Sequence, residues 1–153
     1  MGYSNRKQRT AWEDRFKTPT FEDLRSHYNK QLSSLIEMTR ERLMSFPGVT
    51  EEVSWEGLPW RWTLTYRCPD DPTRAWAYLV PDPVAPKVSM PLTADMIGAF
   101  PMHRMKKHIR DGVTGARVVG PIHWATFAVS SKAVLDDVLD LAKRKHQFVM
   151  AQN

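Results

Sequence analysis

Indole rings are the most informative candidates for chemistry in this chain, and Trp60, Trp62, Trp76 and Trp124, with Tyr78, offer flat apolar surfaces for stacking. Together with His123 they form a candidate ligand-binding set. Small-molecule sites are commonly aromatic-lined clefts with a few convergent polar groups, here His123 or Arg61. The same rings serve equally well as a core beneath covering helices. Alternation along a strand does not decide between these uses, although a large aromatic patch left exposed would mark a partner or ligand site.

A second constellation is cationic. Residues 102–110 read MHRMKKHIR, and helical steps of three or four link His103, Lys106, Lys107 and Arg110, with Arg104 and His108 also four apart. Arg104, Lys106, Lys107 and Arg110 are therefore the candidate anion-binding residues, able to present several donors to phosphates. The plainer alternative is a solvated amphipathic helix with Met102, Met105 and Ile109 inward. The five histidines are available as bases, but no nucleophile elbow, phosphate loop or His-Glu-x-x-His pattern occurs. His103 and His108 are five apart, so they do not share the four-residue step that places two metal ligands on one helix face. Cys68 has no local activating motif. No catalytic residue, metal site or cofactor is assigned.

The elements that must position these groups follow from periodicity. Residues 60–67, WRWTLTYR, alternate large apolar and polar side chains as one strand, which would put Trp60, Trp62, Leu64 and Tyr66 on a common face. A second strand over 75–80 follows a turn-rich connector, as in an antiparallel hairpin. Shorter strands are expected at 53–55, at 87–90 on a sheet edge because prolines flank it, at 116–119 and at 124–129. Thr20 should cap a long amphipathic helix ending at Phe46 before Pro47-Gly48. Thr93 should cap a helical turn, a helix should cover 102–110 until Asp111-Gly112 stops it, and Ser131 should cap the last helix. In that helix Lys143, Arg144 and Lys145 complement the dipole. The expected fold class is α+β: an antiparallel sheet of five to six strands, helices on one face, and long N- and C-terminal helices.

The 153 residues suit one domain, and 42% hydrophobic content supplies one core. Residues 1–18 read as a flexible basic arm that Trp12 and Phe16 could pin to the body, and residues 19–153 as the domain. A net charge of +5 is mildly basic and needs no anionic partner to explain it. The single cysteine excludes an internal disulfide, and the chain lacks a secretory signal or an apolar run long enough to span a bilayer. A reducing, cytoplasmic setting without membrane contact is expected.

A helix ending in Phe46-Pro47-Gly48-Val49, then Glu51-Glu52-Val53-Ser54-Trp55 and an aromatic hairpin, resembles the small YjbR-like and YdhG-like proteins. The resemblance spans residues 20–148 and also rests on Tyr78-Leu79-Val80-Pro81 and Ala142-Lys143-Arg144-Lys145. It implies a compact α+β fold and carries no catalytic residues. YjbR-like folds have been compared with DNA-binding proteins and YdhG-like ones with frataxin-type iron carriers; the mixed charges of the first helix here depart from an acidic iron-binding helix. The leading expectation is a non-catalytic module holding a small anionic or aromatic ligand in an aromatic cleft. The alternatives are weak nucleic-acid or protein binding through residues 102–110, or an enzyme with a dispersed site. A homodimer is expected if apolar surface stays uncovered within the chain.

Overall fold

A computed structural model of the chain describes residues 9–152. Its sheet has six strands, β1 (Thr50–Trp55), β2 (Trp62–Arg67), β3 (Ala77–Val80), β4 (Lys87–Leu92), β5 (Arg117–Val119) and β6 (Ile122–Ala128). They lie in the order β1-β2-β3-β4-β6-β5, and every pairing is antiparallel. The α+β class with an antiparallel sheet is thus the observed one.

Register divides the side chains cleanly. Val53, Leu64, Leu79, Val88 and Phe127 form one cross-strand row. Leu64, Leu79 and Val88 are fully buried beneath the helices. The row on the opposite face is Glu52, Thr65, Tyr78, Ser89 and Thr126, which is polar apart from one ring. Alternation between an apolar, helix-covered face and a mostly polar one is what period-two patterning produces, although the central strands are buried on both faces, with Thr65 and Ser89 fully enclosed.

The helices are α1 (Phe21–Arg25), α2 (Lys30–Met44), α3 (Ala94–Ala99), α4 (Lys107–Thr114) and α5 (Lys132–Ala151). The caps expected at Thr20, Thr93 and Ser131 are present, each accepting a backbone N–H three residues on. The single long N-terminal helix is not. It breaks after Arg25, because Asn29 adopts extended geometry and caps a new start by accepting the Leu32 N–H at 2.8 Å. Apolar periodicity carried across that break and concealed it.

Three further expectations are corrected. β4 is interior rather than at an edge, and it includes Pro91. β3 pairs with β4 only from Lys87 to Ser89, so Pro91 lies past that ladder and its missing donor deprives no partner there. Residues 102–110 are not one helix: Met102–Arg104 is a 3₁₀ turn, and α4 starts at Lys107 and runs through Asp111 and Gly112. Gly112 is a close-approach residue, since a Cβ there would collide with the Phe127 ring. Lys145 is fully buried rather than exposed at the helix end.

Of the expected arm, residues 1–8 lie outside the described residues. The rest of it contains a ring packed into the body, for Trp12 is buried and its indole donates to the Trp60 carbonyl at 2.9 Å, while Phe16 is 88% exposed. Among the described residues no helix is long and apolar enough to cross a membrane.

Candidate functional site

The loop joining β1 to β2 makes the site. Arg61 has φ +60°, a left-handed conformation that side chains avoid, and it is held by its N–H to the Gly57 carbonyl and by the Glu56 N–H to its own carbonyl. One left-handed residue interrupts period-two alternation. Trp60 therefore goes to the polar face of the sheet while Trp62 opens β2 on the helix face, and the common face expected for them does not form.

On the polar face three rings meet. Trp60 lies 5.1 Å from Tyr78 and 5.8 Å from Trp124, and Tyr78 lies 5.7 Å from Trp124, all tilted or edge-to-face. Such pairs are each worth about 0.5–1.5 kcal/mol beyond area burial, so the cluster is held in place before any ligand arrives. Tyr78 is 3% exposed and forms the support beneath. Burial, then the nearby Glu56 carboxylate, pushes its phenol up, so it stays a neutral hydroxyl at physiological pH. Trp60 and Trp124 remain part-exposed and, with Pro59, Arg117, Val119 and Thr126, line an open cleft of about 370 Å³.

Arg117 stands directly across the strand pair from Trp124. Among the described residues no carboxylate pairs with it; the ten ion pairs involve other cations. The Ser89 and Thr126 hydroxyls bond to each other at 2.8 Å beside the rings. The cleft thus offers two indoles, the Thr126 hydroxyl and one guanidinium without a carboxylate partner among the described residues. That combination suits a flat ligand bearing negative charge.

The structure brings together Trp60, Tyr78 and Trp124 from the candidate set and separates the others. Trp62 is buried against Trp55, 5.6 Å away, and its indole donates to the Asp14 carbonyl at 2.7 Å. Trp76 is fully buried against Phe46 at 4.9 Å and His146 at 6.0 Å. His123 pairs with Leu92 and Val118 and alternates with Trp124, which turns it toward the helix face. Arg117 and Pro59 joined the site without being proposed for it. Register explains Arg117, for its position in β5 opposite Trp124 becomes visible only once the hairpin turn is located at Gly120.

The four candidate anion-binding residues are divided. Arg104 belongs to the 3₁₀ turn, Lys106 is the residue before α4, and Lys107 and Arg110 lie within α4. Lys107 is engaged by Asp111 at 2.8 Å and His108 by Asp137 at 2.7 Å, while Met105, Ile109 and Val113 face inward. This is the organisation of an amphipathic surface helix.

One buried group invites an enzymatic reading. Lys145 is pulled down from the ordinary lysine value to about 8, first by burial, with Asp71 opposing the change. Its three ammonium protons have three acceptors, however: Thr73 Oγ1 at 3.0 Å, the Ala75 carbonyl at 3.1 Å and the Trp76 carbonyl at 2.9 Å. Asp71 supplies countercharge at 3.5 Å. Lys145 is a tether between α5 and the β2–β3 connection. Cys68 beside it is also buried, and burial raises its thiol away from the reactive thiolate. Among the described residues no three His, Cys, Asp or Glu side chains converge as a metal site would require. No protein-family profile matches the chain, and no curated protein does either.

Proposed function

We propose that the protein is a binding module for a small planar anion, received in the cleft that Trp60 and Trp124 line, with its charge toward Arg117. One observation carries this: rings from three separate segments meet on the polar face of the sheet and line an open cleft, beside a guanidinium with no carboxylate partner among the described residues. The two part-exposed indoles present flat apolar area that a planar ligand would cover. The neutral Tyr78 beneath them fixes the geometry and adds no competing charge. Thr126 is the one hydroxyl residue in that lining, which otherwise consists of two indoles, Pro59, Val119 and Arg117, groups suited to stacking and charge recognition.

Naphthalene-2-carboxylate is a suitable probe. At about 0.3–0.4 kcal/mol for each of its roughly thirteen heavy atoms, a dissociation constant of roughly 0.1–1 mM is expected. Tryptophan fluorescence titration should show saturable binding that weakens about tenfold or more in Trp124→Ala, since ring stacking is worth about 1–3 kcal/mol. Arg117→Gln should weaken it a few-fold, the scale of an exposed ion pair. A cyclohexane carboxylate binding as tightly, or both variants binding like the parent, would remove the proposal.

A further inference from the structure

A second cleft, of about 510 Å³, lies between the segment around residues 9–16 and the β1–β2 loop. Arg9, Arg15 and Arg61 line it with Glu13, Trp55 and Phe16. Three guanidiniums and one carboxylate give the lining a net charge of +2, the three cations less the one anion. None of the three arginines has a carboxylate partner among the described residues. Glu13 forms no ion pair with them: its Oε1 accepts the Thr10 hydroxyl at 2.9 Å and the Thr10 N–H at 3.4 Å, and its carboxyl is held low first by Thr10 and also by the nearby charges of Arg61 and Arg9.

The convergence is built by specific contacts. Trp12 donates to the Trp60 carbonyl at 2.9 Å, and Trp62 donates to the Asp14 carbonyl at 2.7 Å, so two indole hydrogen bonds fasten the N-terminal turn to the hairpin. Arg61 lies over the Trp12 ring at 4.8 Å, which fixes its guanidinium. An occupant carrying two negative charges complements the net charge of this lining. Guanidinium forks match phosphoryl oxygens in a bidentate manner. Phe16, 88% exposed, and Trp55 add flat apolar surface at the same place.

We infer that this cleft is a phosphoryl-binding subsite, taking a dianionic phosphate or diphosphate group of a small molecule between Arg9, Arg15 and Arg61. It stands independently of the aromatic cleft, since Trp124 and Arg117 take no part in it.

The test is calorimetric titration of the full chain with inorganic pyrophosphate at low salt, where screening is weak. The parent should bind saturably, and the double variant R9Q/R15Q should bind about tenfold or more weakly. Arg9 and Arg15 are exposed, so an unchanged melting temperature for that variant confirms that the loss is local. The double variant R104Q/K106Q, which removes as much charge from a distant surface, should bind pyrophosphate like the parent. Absence of binding in the parent, equal loss in both double variants, or undiminished binding in R9Q/R15Q overturns the assignment. Failure of naphthalene-2-carboxylate to bind would leave this outcome unaffected.

Discussion

Replacing Lys145 with methionine is expected to destabilise the protein by about 3–5 kcal/mol, as measured by urea unfolding near pH 7. Methionine preserves the length of the stem, so the loss is not one of packing. What it strands is a set of acceptors: the Ala75 and Trp76 carbonyls, the Thr73 hydroxyl, and the Asp71 carboxylate, which is 3% exposed. Removing one member of a buried pair leaves the other charge without compensation. A pH signature separates this account from simple cavity formation. Lys145 falls from 10.5 to about 8 in the folded state, so between these values the unfolded chain binds more protons than the folded one. The parent's stability is therefore lowest with respect to this group below about 8, where the buried ammonium carries its full desolvation cost, gains an increment through the window, and levels off above 10.5. The gap in unfolding free energy between parent and K145M should widen by about 2 kcal/mol from about pH 7 to about pH 9.5. A gap that is flat or narrows with rising pH would contradict the placement of the ammonium.

Trp76→Ala should cost about 3–5 kcal/mol of stability, the usual range for emptying a fully buried large ring. Trp76 is completely enclosed against Phe46 and His146, and its carbonyl is one of the acceptors of Lys145. The milder Trp76→Phe distinguishes a core ring from a ligand-binding one. Its indole N–H has no acceptor, so phenylalanine removes a stranded donor while opening a small void. That variant should remain folded and bind naphthalene-2-carboxylate as the parent does. Lost affinity in a stable Trp76→Phe protein would return Trp76 to the ligand site.

How far the sequence reached is clearest at individual residues. Strand alternation at 62–67 and the caps at Thr20, Thr93 and Ser131 were legible because they depend on local geometry alone. The fate of Trp60 was not, because a single left-handed residue at Arg61 reverses the face of everything before it, and no residue type there announces one. Gly112 read as a helix stop, whereas its role is to let α4 approach Phe127, a tertiary demand that local propensity does not express. Lys145 carried a signal that was available. It continues the apolar stripe Val138, Leu141 and Ala142 toward Val149 at helical spacing, so its position, unlike its residue type, pointed inward. The candidate site was therefore half legible: its aromatic members were identifiable by type, but which of them share a face depended on backbone conformation and on register between distant strands.

The loop from Glu56 to Arg61 connects the two clefts, sending Trp60 to one and Arg61 to the other. Six tryptophans give six indole N–H signals in a ¹H–¹⁵N spectrum, each assignable by a single Trp→Phe replacement. Titration with naphthalene-2-carboxylate should move the Trp60 and Trp124 signals together along one saturation curve and leave Trp62 and Trp76 in place. Shifts centred on Trp62 or Trp76, or no shift at Trp60 and Trp124 while binding occurs, would contradict the account.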